Sequence, residues 1–130
     1  MRAIKFFAVL GLLLIFSIST AIPQGKMDSK TTSAKKVTLK GEVLDLACYV
    51  AGEKKGAEHK RCAVMCIKGG EPIGILTDDG KVYLVVEDHA KPEPYEKLKE
   101  FAAERVTITG AFYQRGGLPG VVIESVEPVK

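Results

Sequence analysis

Two β-hairpin signals, one on each side of a helical segment, constrain the fold of this chain more than any other feature. The first is "PIGILTDDGKVYLVV" (72–86), in which Asp-Gly joins the apolar runs 73–76 and 82–86, a strong hairpin pattern. The second joins 106–113 to 121–126 through the glycine-rich "QRGGLPG". Between them, "PEPYEKLKEFAAE" (92–104) has apolar residues at helical spacing and prolines at its start, which predicts a helix.

A strand and a second helix precede the first hairpin. "VTLKGEVLDL" (37–46) alternates loosely between apolar and polar residues, which predicts a strand, and Gly41 within it predicts a bulge or bend. "AEHKRCAVMCIK" (57–68) predicts a short helix, ended by Gly69 and Gly70 as a left-handed cap.

The predicted order is therefore strand, helix, strand, strand, helix, strand, strand. Five short strands with a helix between the third and fourth predict a mostly β (α+β) fold, a small OB-like Greek-key barrel. A small open sandwich is the alternative. The first helix, which carries the histidine and two of the cysteines, is expected as an insertion in the first interstrand loop.

The N-terminal 21 residues have the three parts of a secretory signal. Arg2 and Lys5 form a basic start, residues 6–22 are without charge, and the small residues Ser19 and Ala21 stand at cleavage-site spacing. We therefore expect an exported protein, periplasmic or secreted. The apolar run also approaches the roughly 17 to 25 residues that span a bilayer, so an uncleaved signal would be a membrane anchor.

Residues 22–36 are polar and rich in Ser, Thr and Lys, which predicts a flexible tether. Residues 37–130 then form one domain. The whole chain has a net charge of +3, but six of its basic residues and one acidic residue precede residue 37. The domain therefore holds 13 basic and 15 acidic residues, a net charge of −2. That balance gives no basic footprint for nucleic acid, so no nucleic-acid partner is expected.

All three cysteines and one histidine lie within 19 residues, from Cys48 to Cys66. On a helix, His59, Cys62 and Cys66 are spaced three and four apart and share one stripe. Cys48 is expected on the loop after the first strand, from which it could complete a Cys3His set. Such a set predicts one soft metal ion, zinc or Cu(I), ahead of an Fe–S cluster. His89 is a further candidate ligand.

Two alternatives remain open for the cysteines. The oxidising environment of an exported protein favours disulfides. Cys48 could pair with Cys62 or Cys66, leaving one thiol free. A reactive thiol is the other alternative, because Lys60 and Arg61 lie beside the stripe and positive charge lowers a thiol pKa. The function expected is a structural, metal-handling or redox accessory role rather than an enzyme. A thiol-disulfide protein and an OB-fold ligand-binding module are the alternatives, and a partner, if any, would be another exported protein.

The segments "GEVLDLACY", "GAEHKRCAVMC", "GEPIGILTDDGKVYLV", "DHAKPEP" and "VTITGAFYQRGGLPGVVIESVEPV" resemble a family of small exported bacterial OB-fold proteins with a Cys-x13-Cys-x3-Cys/His cluster. The resemblance covers nearly all of the domain and none of the signal or tether. It implies the barrel architecture and the Cys/His cluster, and it implies no particular activity.

Overall fold

The computed structural model describes residues 34–129, which form a closed five-stranded barrel. The strands are β1 (Lys35–Asp45), β2 (Ile73–Thr77), β3 (Val82–Val86), β4 (Arg105–Arg115) and β5 (Leu118–Pro128). The α-helices are α1 (Leu46–Gly52), α2 (Lys60–Lys68) and α3 (Glu93–Leu98), with 3-10 turns at Ala57–His59 and Lys99–Phe101. The strand order around the barrel is β1-β2-β3-β5-β4. The predicted OB-like barrel is confirmed, including the helix between the third and fourth strands and the helical insertion between the first two.

Strand β1 closes the barrel because it pairs with two neighbours along its length. Its residues 35–42 pair with β4, and its residues 41–45 pair with β2. Gly41 lies opposite a residue of each neighbour, and a Cβ placed there would lie 2.2 Å from the carbonyl oxygen of Leu76. Glycine at this position therefore permits a close backbone approach between neighbouring strands. A register shift, of the kind that a β-bulge produces, lies elsewhere, between Thr109 and Gly110 in the pairing of β4 with β5.

Both predicted hairpins form, and the two strands of the second, β4 and β5, are longer than predicted. The second hairpin turns on Gly116 and Gly117 alone, both with positive φ, because β4 and β5 extend through the rest of the glycine-rich segment. Strand β1 begins at Lys35, two residues inside the predicted tether. The predicted signal (1–21) and the tether up to residue 33 lie outside the described residues. Among residues 34–129, no helix has the length and apolar character needed to cross a membrane.

The barrel core consists of branched aliphatic residues together with side chains from two helices. Helix α2 contributes Ala63 and Ile67, which are each 1% exposed, and α3 contributes Leu98. Helix α2, which carries Cys62 and Cys66, is therefore packed on the barrel through its own apolar face. The buried cluster consists of Val43, Ala63, Ile67, Ile73, Ile75, Val85, Leu98, Ala102, Val106, Ile108, Val121, Ile123 and Val126.

Candidate metal centre

Helix α1 begins where β1 ends, and Asp45 is the residue that joins them. The side chain of Asp45 is fully buried, and its Oδ1 accepts hydrogen bonds from the backbone N–H groups of Ala47 (3.0 Å) and Cys48 (3.3 Å). This is an N-cap, which satisfies donors that the first helical turn leaves without partners. The expectation that Cys48 lies on a loop is therefore wrong: the capped helix holds it, with Asp45 beside it.

Helix α2 presents two cysteines next to its buried face. Ala63 and Ile67 point into the core, and Cys62 and Cys66 each precede one of them in sequence. The predicted glycine cap is confirmed: Gly70 has a φ of 101°. The N–H of Glu71 donates to the carbonyl of Cys66 (3.0 Å), and the N–H of Gly70 donates to that of Ile67 (3.1 Å). This pair of bonds is a Schellman motif, which fixes the end of the helix that carries Cys66.

The three cysteines come together at the junction of α1 and α2. The Sγ atoms of Cys48, Cys62 and Cys66 all lie within 4.8 Å of one another, and those of Cys62 and Cys66 are 3.9 Å apart. All three are free thiols; Cys62 is exposed, and the other two are partly buried. Since zinc–sulfur bonds are about 2.3 Å long, one ion could contact all three.

His59 belongs to a different group from the one predicted. An imidazole nitrogen of His59, a carboxylate oxygen of Asp45 and the Sγ of Cys48 all lie within 4.8 Å of one another. Within residues 34–129, no group of this kind contains both His59 and either Cys62 or Cys66. His59 lies in the 3-10 turn before α2 and is the N-cap residue of that helix, and its Nε2 lies 3.9 Å from Oδ2 of Asp45.

Two buried polar atoms of this second group face each other. The Oδ2 of Asp45 and the Nε2 of His59 are 3.9 Å apart. Neither atom has a hydrogen-bond partner within the described part of the chain. The separation exceeds the roughly 2.7 to 3.2 Å of a hydrogen bond. The structure thus holds an acceptor and an imidazole nitrogen in the interior without the partner that buried polar atoms normally have.

The thiols beside Asp45 are weaker acids than an isolated cysteine. The pKa of Cys48 is raised to about 12, first because the neighbouring carboxylate of Asp45 favours the protonated thiol as a donor, and then because of burial. The same two causes raise the pKa of Cys66 to about 11. Burial acts to raise the pKa of Asp45, but nearby donors, foremost Cys48, outweigh it and lower that pKa. A reactive thiol needs a lowered pKa, so neither Cys48 nor Cys66 has that character.

Polar contacts anchor the segment between the two helices. The N–H of Gly56 donates to Oε1 of Glu42 in β1. Lys60, the first residue of α2, forms an ion pair with Glu104 just before β4. These contacts fix the start of α2 at two points of the barrel and so fix His59 relative to Asp45.

A cleft of about 550 Å³ adjoins the second group, and His59 forms part of its wall. The His59 side chain is 13% exposed. The remaining lining residues are the last residue of α1 and residues between α1 and α2: Gly52, Glu53, Lys54, Lys55 and Glu58.

His89, the other histidine of the chain, lies between β3 and α3. It is exposed, and among the described residues it joins neither of the two groups. Asp45 is the site residue that the sequence analysis does not identify, because it ends the first strand as predicted but also caps the unpredicted helix α1. Its signal was an Asp directly before a short apolar segment, the N-cap pattern.

Comparisons of the chain with protein-family models, with curated proteins and with solved structures found no match. The family resemblance noted from the sequence therefore stays a prediction, and the function has to be argued from the site itself.

Proposed function

We propose that this protein binds a soft metal ion, Zn²⁺ or Cu(I), through the thiolates of Cys48, Cys62 and Cys66. The observation that carries the proposal is the convergence of all three Sγ atoms within 4.8 Å. Thiolates prefer these metals to the harder cations. The sequence signal for export adds that the protein does this outside the cytoplasm.

The exposure of the site favours metal handling over a purely structural role. Structural zinc sites are closed by four protein ligands, whereas three leave a coordination position open. Here Cys62 is exposed at the surface, so an ion bound to the three thiolates would be accessible to an incoming ligand. We therefore propose that the protein takes up and releases its metal ion as an accessory factor.

Metal analysis of protein purified from the exported fraction tests this function, with free thiols counted alongside. We expect bound zinc or copper, and we expect Cys62→Ser to lose the ion that the three thiolates hold. Met65→Ser is the matched control, because Met65 is a sulfur-bearing residue of the same helix, is 67% exposed and lies outside the cluster. Metal-free protein with Cys48 disulfide-bonded to Cys62 or Cys66 would contradict the proposal.

A further inference from the structure

The buried Asp45–His59 pair points to a ligand between its two unpartnered atoms. An unsatisfied buried polar atom destabilises the folded protein, and more so when the group is charged. Asp45 is fully buried and carries such an atom, Oδ2, facing Nε2 of His59 at 3.9 Å. Zinc binds nitrogen and oxygen ligands at about 2.0–2.2 Å. One ion between these two atoms can therefore contact both.

Cys48 supplies a third ligand to the same position. Its Sγ lies within 4.8 Å of the ligand atoms of both Asp45 and His59. The same sulfur also belongs to the group with Cys62 and Cys66. Cys48 is thus the one residue shared by two sets of three ligands.

The capping geometry of Asp45 leaves one oxygen for this role. Oδ1 is occupied by the backbone N–H groups of Ala47 and Cys48. Those two bonds orient the carboxylate, and Oδ2 is the oxygen that has no hydrogen-bond partner among residues 34–129 and lies 3.9 Å from Nε2 of His59. Fixed orientation of a ligand by neighbouring hydrogen bonds is typical of metal sites in proteins.

The charges of the ligands balance two divalent ions. Three thiolates and one carboxylate carry four negative charges, and two divalent cations carry four positive charges. One divalent ion would leave two negative charges in excess in a partly buried cluster, where uncompensated charge is costly. Proteins do hold pairs of metal ions about 3.5–4 Å apart.

We infer that the cluster binds two divalent cations, with the Cys48 thiolate bridging them. The first ion is bound by Cys48, Cys62 and Cys66, and this part rests on the proposed function. The second is bound by Asp45, Cys48 and His59. The second site uses one sulfur, one nitrogen and one oxygen, a mixed set that suits Zn²⁺ better than Cu(I).

Zinc stoichiometry tests the inference, with Zn²⁺ itself as the probe. The full protein is saturated with Zn²⁺, separated from free ion, and measured by elemental analysis and native mass spectrometry. We expect two ions in the wild type, one in His59→Ala and in Asp45→Asn, and one in the double variant Cys62→Ser/Cys66→Ser. His89→Ala is the matched control for removal of an imidazole and is expected to keep two. Circular dichroism of each variant serves as the control for folding, and we expect the spectrum of the wild-type barrel in each.

The outcomes separate the two proposals. One ion in the wild type, with the same content in His59→Ala and Asp45→Asn, overturns the second site and leaves the three-thiolate site standing. An unchanged zinc content in the double cysteine variant contradicts the three-thiolate site. A wild type with two ions, of which His59→Ala and Asp45→Asn each lose one, supports the second site whatever the double cysteine variant does, whereas a wild type with a single ion that both variants lose contradicts two sites.

Discussion

The Oδ2 of Asp45 lies 3.9 Å from the Nε2 of His59, and both atoms are buried without a hydrogen-bond partner within residues 34–129. Asp45 is also the N-cap of the helix that carries Cys48. One carboxylate therefore has two roles. Its Oδ1 caps α1, and its Oδ2 lies next to the His59 imidazole. These two roles can be separated by substitution.

Replacing Asp45 with Ala or with Asn should affect the two roles differently. Ala removes the cap and should lower the free energy of unfolding by about 1 kcal/mol in the presence of a chelator. Asn keeps a capping oxygen and should lose much less. Both should lose a similar part of the rise in melting temperature that Zn²⁺ produces, because both remove the carboxylate ligand. Thermal unfolding with chelator and with Zn²⁺ measures both effects. Equal loss in chelator for the two variants would contradict the capping role.

The sequence predicts the barrel well because its signals are local. The Asp-Gly turn, the Gly70 cap and the i, i+4 spacing of Cys62 and Cys66 each depend on a few neighbouring residues, and each is confirmed. The short helix α1 has only seven residues, too few to show helical periodicity, so Cys48 was assigned to a loop.

The ligand grouping was harder to predict because it depends on how the helices are placed. His59 is three residues in sequence from Cys62, yet the side chains it groups with are those of Asp45 and Cys48. That pairing arises because β1 and α1 bring Asp45 to the start of α2, a long-range contact. A contact of this kind has no local sequence signal.

Gly74→Ala should weaken Zn²⁺ binding although Gly74 is not a ligand. A Cβ at this buried position of β2 would lie 2.5 Å from Cδ2 of Leu46, the first residue of α1. Relieving that contact has to displace the Leu46 side chain, and we expect α1 and Cys48 to shift with it, at a cost of about 1–3 kcal/mol for overpacking. Gly120→Ala is the matched control, because its Cβ would meet its nearest atoms at 3.8 Å. Zinc titration and thermal unfolding of the two variants provide the measurement. Wild-type zinc affinity in a destabilised Gly74→Ala protein would show that α1 does not shift.

The β2–β3 turn should make a small contribution to acid stability. The pKa of Asp79 is lowered to about 2, first by hydrogen bonding with Lys81 and then with Thr77. Because the folded value lies below the ordinary 3.8, this contribution is present above about pH 4 and is lost as the pH falls toward 2. Asp79→Asn should therefore lose less stability than the wild type across this window, and Lys81→Gln should behave similarly. Unfolding monitored at several pH values checks this, and parallel curves for all three proteins would contradict it.

Binding of Zn²⁺ at neutral pH should release protons from the thiols. The pKa values of about 12 for Cys48 and about 11 for Cys66 mean that both are protonated in the metal-free protein. A thiol has to lose its proton to bind zinc. At least two protons should therefore be released as the three-thiolate site fills, and the apparent affinity should rise on the order of a hundredfold per pH unit near neutrality. Calorimetric titration in two buffers of different ionisation enthalpy counts the protons. The Cys62→Ser/Cys66→Ser variant should release fewer, since only Cys48 remains as a thiol ligand. Zinc binding to the wild type without proton release would mean that its ligands are not the cysteines.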